Sequence, residues 1–217
     1  PELDWYLLVE QGERAAVARL RTAFYHNLAA GAVVTLIVLL ISTYTVRRFH
    51  ERLARMATID RLSGLYNRDA FEALFPRASA SARRYGQPLS LILFDIDLFK
   101  HINDQHGHLA GDRVIEQVAQ LVQRGRRASD LLARWGGDEF VLLLADCDLA
   151  AAHRLADGLR QAISDAVVVP ECNRPLTLSL GIAAYHEGDT LDELLGRADE
   201  QLYRAKAAGR NRVASGA

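Results

Sequence analysis

Cysteine is almost absent from this sequence of 217 residues, where Cys147 and Cys172 stand alone. Two thiols cannot staple a disulfide scaffold or supply a four-cysteine zinc site, so both are expected to be plain packing or loop residues. An excess of either charge is also missing, with 26 Lys+Arg against 27 Asp+Glu. With a hydrophobic share of 50%, that balance excludes a disordered polymer and a globally basic nucleic-acid binder. Lysine is the third scarcity. Lys100 and Lys206 are the only two among the 26 basic side chains, which marks both positions. No methionine opens the chain, which begins at Pro1 and is expected to be a fragment or a processed product.

Charge is missing altogether from residues 28–46 (LAAGAVVTLIVLLISTYTV), a run of 19 positions. As a helix at about 1.5 Å per residue the run reaches about 28 Å, close to a hydrocarbon core of about 30 Å. A globular core helix rarely stays apolar on every face for about five turns. A signal peptide fits poorly, because a soluble-looking stretch precedes the run and no cleavage pattern follows it. The segment therefore reads as a transmembrane helix. Arg47, Arg48, Arg52 and Arg55 follow it, opposed locally only by Glu51, while Arg19 and Arg21 stand on the other flank. That bias favours a cytoplasmic C-terminal side.

The organisation follows. Residues 1–27 open with a strand-like run at 5–9 and continue as a helix over 15–24. They are too few to bury a core and read as the remnant of an extracytoplasmic sensor domain. After the span, residues 47–58 carry Phe49, Leu53 and Met56 at spacings of four and three, a signalling helix suited to pairing with its own copy. Residues 59–213 suffice for one compact domain.

Within that domain strands and helices alternate. Residues 89–96 (LSLILFDI) form an apolar run of strand length ending in acids, and residues 113–123 place Val114, Val118, Leu121 and Val122 on one helical stripe. Residues 131–135 and 140–144 flank Gly136-Gly137 as a hairpin. A helix over 150–163, a strand over 176–184 and a helix over 191–207 follow. The order β-α-β-β-α-β predicts an α+β, ferredoxin-like split βαβ sheet with helices on one face.

The acids carry the chemistry. Asp95 and Asp97 end an apolar strand, and Asp138 and Glu139 sit at the glycine turn. Any one pair alone reads as solvated loop acids. Two pairs on elements that this sheet sets side by side repel unless a proton or cation joins them, which points to a divalent-metal site. Oxygen ligands of this kind suit Mg²⁺ or Mn²⁺ bound partly through substrate phosphates. Lys100, five residues after Asp95, and Lys206 with Arg210 on the closing helix supply the cations that a nucleoside triphosphate needs. Asn103 and Asp112 pair an amide with an acceptor, a combination that suits the guanine edge.

The string Arg134-Trp135-Gly136-Gly137-Asp138-Glu139-Phe140 resembles the signature of the GGDEF diguanylate cyclases. Asp60-Arg61-Leu62-Ser63-Gly64-Leu65-Tyr66-Asn67-Arg68 resembles the opening segment of that family. Phe94-Asp95-Ile96-Asp97-Leu98-Phe99-Lys100, with Ile102-Asn103-Asp104, Gly107-His108 and Gly111-Asp112, resembles its first strand and helix. Ser179-Leu180-Gly181-Ile182-Ala183, Ala198-Asp199, Leu202-Tyr203, Ala205-Lys206 and Gly209-Arg210-Asn211 complete the set, over roughly residues 57–213.

The resemblance implies a nucleotidyl cyclase fold like a polymerase palm, and a reaction. Two GTP molecules, one on each domain of a head-to-tail homodimer, condense to cyclic di-GMP and release two pyrophosphates. Asp95, the Ile96 carbonyl, Asp138 and Glu139 are implied as ligands of two Mg²⁺ (or Mn²⁺) ions per active site, with Asp138 as base at the attacking ribose hydroxyl. Asn103 and Asp112 are implied to hold guanine, Lys100, Lys206 and Arg210 to meet the triphosphate, and Gly136 and Gly137 to lie against the nucleotide. Arg127-Ala128-Ser129-Asp130 resembles the family's R-x-x-D site, where Arg127 and Asp130 bind cyclic di-GMP as an inhibitor. The enzyme is then expected at the inner membrane with its catalytic domain in the cytoplasm and no nucleic acid as partner.

Departures are few. Asp138 is an accepted alternative to Glu, and Trp135 stands in place of Tyr or Phe. Gln201 replaces a small residue, and Pro76 is expected to kink or split its helix. His101, His106 and His108 are assigned surface and phosphate-loop roles, because the oxygen site already accounts for the metal. The competing reading is a catalytically silent GGDEF domain that binds GTP or cyclic di-GMP and signals through protein contacts. Silent members generally lose the acids that stand here.

Overall fold

The computed structural model describes the backbone of residues 2–56, 58–166, 168–169 and 174–216. The chain divides into two units, Pro1–Met56 and Ala57–Ala217. The first is a single helix, α1 (Glu2–Met56). The strand-like run at 5–9 is thus helical. A lone strand has no ladder partner in this unit, whereas a helix satisfies its own backbone. Within α1, Val17–Val46 is long and apolar enough to cross a membrane, and none of its apolar window is buried. Thr22, Thr35, Thr43 and Thr45 return their hydroxyls to carbonyls four residues back, so these polar groups are satisfied inside the helix. The helix runs on to Met56, as the apolar spacing predicts, but the side chains of Phe49, Leu53 and Met56 lie outside the described residues.

The second unit is built on a five-stranded sheet of order β2-β3-β1-β6-β7. Its centre is β1 (Leu89–Ile96), buried at every position. β1 pairs antiparallel with β3 (Glu139–Ala145) on one side and β6 (Leu178–Ala184) on the other. β2 (Leu131–Gly136) extends the sheet beyond β3, and β7 (Val213–Gly216) lies parallel to β6. α4 (His108–Gly125) connects β1 to β2, and α5 (Leu149–Ala166) connects β3 to β6. Each crossover skips a place that a strand of the other pair fills, which is the predicted split βαβ arrangement. Three features escape the sequence pattern: the short helix α3 (Phe99–His106), the edge strand β7, and a minimal hairpin of β4 (Val168–Val169) and β5 (Arg174–Pro175), all too short for a periodicity to show. Cys172 lies outside the described residues, and Cys147 packs partly buried against the core.

Helices cover both faces of the sheet, not one. α4 and α5 bring Val114, Ile115, Val118, Ala152, Ala156 and Ile163 onto Ile92, Phe94, Leu142 and Leu180. On the opposite face α2 (Arg68–Tyr85) and α6 (Leu191–Ala207) bring Phe71, Phe75, Leu194, Ala198 and Leu202 onto Leu91, Leu93, Val141 and Leu143. β1 and β3 are apolar at successive positions, so both faces need a cover, and the two crossover helices supply only one.

Local chemistry sets the helix ends. The Asn67 side chain accepts from Ala70 N at the start of α2, and Gly86 closes the helix at φ 63°. Pro76 does not split α2. It sits on the exposed side, where the carbonyl it leaves unpaired can meet water, while Phe71 and Phe75 anchor the buried side. Thr190 and Glu193 form a capping box at the start of α6. α6 lies hard against β6 at Gly181, where a Cβ would stand 2.9 Å from Leu202 Cα and inside contact with Ala198 O and Leu202 N. The departure at Gln201 is absorbed under β7. Gln201 is buried, and its side chain fills the space that a Cβ on Gly216 would need.

Candidate active site

The sheet brings the separated acids to one end. Asp95, near the end of β1, is paired in register with Glu139 at the start of β3, and Ile96 N donates to Asp138 O at 3.3 Å. Lys206, in the last turn of α6, reaches Asp95 Oδ2 at 2.9 Å. Burial pushes the Asp95 carboxyl up to about 6, with the charges of Asp138 and Glu139 adding to the rise and Lys206 opposing it. A buried carboxylate surrounded by like charge, and answered by one of only two lysines, is an arrangement built to receive a cation or a proton.

The glycine turn is held from outside. Arg134 Nε and Nη2 donate to Gly137 O at 2.9 and 2.7 Å, and Nη1 donates to Asp60 Oδ1 at 3.1 Å. Burial pushes the Asp60 carboxyl upward, yet the hydrogen bonds from Ser63 and Arg134 outweigh it and hold the group below its usual value. Trp135, the departure from Tyr or Phe, meets Phe71 edge-on at 6.0 Å, and the Arg68 guanidinium lies 4.5 Å over its ring. The Asp60–Arg134 link spans 74 positions, and no local pattern signals it.

The neighbouring helices present the remaining residues. Lys100 and Asn103 lie on α3 (Phe99–His106), and Asp112 lies on α4. Asn103 Oδ1 is buried without a hydrogen-bond partner, an acceptor left over for a ligand. Asn103 fits only because Gly111 faces it, since a Cβ there would stand 3.0 Å from Asn103 Cγ and from Phe99 Cζ. Gly136 ends β2, and Gly137 is exposed at the turn with open space around it. Arg210 lies past the end of α6 rather than on it, exposed in a turn with φ 63°. His101 and His108 are exposed, and His106 is half-buried with Nε2 unpartnered. Among the described residues no group of three or more His, Cys, Asp or Glu side chains is placed to hold a metal.

Asp97 departs from the pairing with Asp95 that the sequence suggests, while Arg127 and Asp130 stand apart from the acids. Asp97 is turned away from Asp95. It is 6% exposed and accepts from Thr177 Oγ1 at 2.8 Å, Ser179 Oγ at 2.6 Å and Asn211 N at 3.0 Å. Arg127 and Asp130 lie at the far end of β2 from the glycine turn, about 20 Å of strand away. Arg127 is exposed and lines a cleft of about 650 Å³ with Arg77, Ser81 and Gln87. Asp130 is 2% exposed, and its carboxylate accepts from Arg127 N at 2.8 Å.

The family model described as the diguanylate cyclase GGDEF domain matches residues 57–212. Diguanylate cyclase VdcA of Vibrio cholerae is 40% identical over 180 residues, covering 79% of this chain and 52% of that protein. Diguanylate cyclase DgcM of Escherichia coli is 39% identical over 169 residues, covering 77% of this chain and 40% of that protein. The chain thus spans about half the length, or less, of these curated relatives. The crystal structure of the GGDEF domain of DgcB from Caulobacter crescentus in complex with c-di-GMP matches with a TM-score of 0.68 at 34% identity, covering 73% of this chain and 92% of that one. With the acids, the glycine turn and the lysine gathered at one sheet end, the conclusion is that this chain belongs to the GGDEF family of diguanylate cyclases.

Proposed function

We propose that this protein is a membrane-anchored diguanylate cyclase that joins two GTP molecules into cyclic di-GMP and releases two pyrophosphates. The observation that carries this reading is the convergence of Asp95, Asp138 and Glu139 at one sheet end, with Lys206 bonded to Asp95. The donor set suits hard divalent cations. Asp95, Glu139, Asp138 and the Ile96 carbonyl offer oxygen only, and two or three protein oxygens leave coordination to be completed by phosphate and water. When bound, two Mg²⁺ or Mn²⁺ ions would offset charge on the attacking and leaving oxygens of the transferred phosphoryl group.

The chain's own residues do the rest. Asn103 and Asp112 hold guanine, with the unpartnered Asn103 Oδ1 as acceptor. Lys100, Lys206 and Arg210 neutralise the triphosphate, and Lys206 exchanges Asp95 for a phosphate oxygen as the nucleotide enters. Gly136 and Gly137 let the nucleotide lie against bare backbone. Asp138 accepts the proton of the ribose hydroxyl, whose oxygen bonds to the α-phosphorus of the facing GTP as the bond to the β-phosphate breaks and pyrophosphate leaves. Each domain holds one GTP, so two copies must meet head-to-tail. We assign residues 1–27 to the end of a sensor domain, 28–46 to the membrane span, 47–58 to the signalling helix and 59–213 to the catalytic domain in the cytoplasm. The exposed apolar stretch of α1 supports the span at the inner membrane. Arg127, exposed at its cleft and remote from the acids, is the anchor of an inhibitory product site, with Asp130 holding its loop.

The test is turnover. The full chain in detergent, incubated with GTP and Mg²⁺, is expected to yield cyclic di-GMP and pyrophosphate by chromatography, with a rate per molecule that rises with protein concentration. Asp138→Asn keeps the shape of the turn but removes a charge and the base, and is expected to lower turnover by about a hundredfold or more. A folded wild-type chain that binds GTP yet forms no product would establish a silent binding module instead.

A further inference from the structure

We propose that Asp97 and Arg160 are positioning residues that together hold the turn after α6 in the strained conformation presenting Arg210 to the triphosphate. The inference rests on the proposed role of Arg210. Three successive residues of that turn have positive φ: Gly209 at 111°, Arg210 at 63° and Asn211 at 47°. Only the first is a glycine. Two side-chain-bearing residues in a row in the left-handed region persist only where surrounding contacts hold them.

Those contacts are specific. Asn211 N donates to Asp97 Oδ2 at 3.0 Å, and Asn211 Oδ1 accepts from Arg160 Nη1 at 3.0 Å. Each anchor is itself fixed. Asp97 is buried and accepts from Thr177 Oγ1 and Ser179 Oγ, while Arg160, on α5, donates its Nε to Asp157 Oδ1 at 2.8 Å. The turn is therefore clamped from below by the end of β1 and from the side by α5. Arg212 Nε closes it by donating to Arg210 O at 3.1 Å. Without the clamp, Asn211 and Arg210 relax toward ordinary helical or extended backbone, and the Arg210 guanidinium leaves the phosphate position. Asp97 thereby acquires a role that its place beside Asp95 in the sequence does not suggest.

The probe is α,β-methylene GTP with Mg²⁺, its binding to the full chain in detergent followed by calorimetry. Arg160→Met removes both hydrogen bonds but keeps the aliphatic stem, and Asp97→Asn removes the charge but keeps the shape. Each is expected to weaken binding about three- to tenfold, and Arg210→Ala at least as much. In the Arg210→Ala background neither change is expected to matter beyond about twofold, because residues acting through one group are not additive. Equal losses in both backgrounds, or wild-type affinity in Arg160→Met, would overturn the inference while Arg210 keeps its role. Unchanged binding in Arg210→Ala would instead overturn the role of Arg210, and the inference with it. Should Asp97→Asn lose its thermal transition, the partly exposed Arg160 decides the matter alone.

Discussion

Gly111→Ala is expected to cost nucleotide recognition while sparing the fold. A Cβ on Gly111 would stand 3.0 Å from Asn103 Cγ and from Phe99 Cζ, and inside contact with Asn103 Oδ1. Ordinary contact is about 3.5–4.0 Å, so the Asn103 side chain must rotate away by more than half an ångström. Forcing it off its rotamer costs about 0.5–1.5 kcal/mol. Loss of its hydrogen bond to guanine costs about 0.5–1.5 kcal/mol more. The strain is present with or without nucleotide and falls on stability, while the lost hydrogen bond alone corresponds to roughly a two- to tenfold loss in kcat/KM, at about 1.4 kcal/mol per decade. The displaced atoms belong to side chains on α3, so the urea midpoint is expected to move by no more than the strain, about 1.5 kcal/mol equivalent. The assay pairs initial rates against GTP concentration with urea unfolding of the same preparation. Wild-type kcat/KM in a variant with its Asn103 displaced would show that Asn103 does not hold the base. An equal loss in stability and activity would assign the position to packing alone.

Gly181→Ala tests the opposite case, because its Cβ would meet the backbone of α6 rather than a side chain. A loss of about 3 kcal/mol or more is expected by urea unfolding, and a loss under about 1 kcal/mol would refute the tight α6–β6 contact. Arg127→Ala is expected to relieve inhibition by added cyclic di-GMP while leaving GTP turnover at low product intact. Removing a charge-assisted contact of about 1.5–3 kcal/mol weakens binding roughly tenfold or more, and superimposed inhibition curves would make Arg127 an ordinary surface arginine. Asp189 predicts a pH dependence. The Arg197 side chain, hydrogen-bonded to it, holds its carboxyl below 3.8 in the folded state, with the His186 backbone N–H adding to the effect. A lowered folded value means that the contribution to stability is present above the unfolded value and lost as pH falls through the folded one. Stability is therefore expected to fall more steeply below about pH 4 in the wild type than in Asp189→Asn. Parallel urea midpoints from pH 5 to 3 would contradict it.

What the sequence determined by itself is what is written along the chain at short range. The uncharged run at 28–46, the apolar strand 89–96, the helical stripes on α4 and α6, and the turn glycines are all patterns with a period of a few residues. Backbone geometry reads such patterns directly. The motif residues were legible for the same reason, since each string is contiguous along the chain at a turn or an element end, and the split βαβ order sets those ends side by side. Local rules failed where a segment lacked a partner to decide it. The run at 5–9 has strand-like side chains but no ladder, and β7 has a ladder but too few residues to announce itself.

Tertiary structure alone decided the direction of each polar side chain. Asp95 and Asp97 are two residues apart and look equivalent in the sequence. Yet one faces Lys206 and the acids, while the other is sealed by Thr177, Ser179 and Asn211, which lie 80, 82 and 114 positions away. The same holds for Arg134 on Asp60, for Arg160 on Asn211 and for the covering of the second sheet face by α2 and α6. A hydrogen bond needs its partners within about 3 Å and well aligned. Separation along the chain carries no information about that distance, so only the folded sheet and its packed helices could assign those partners.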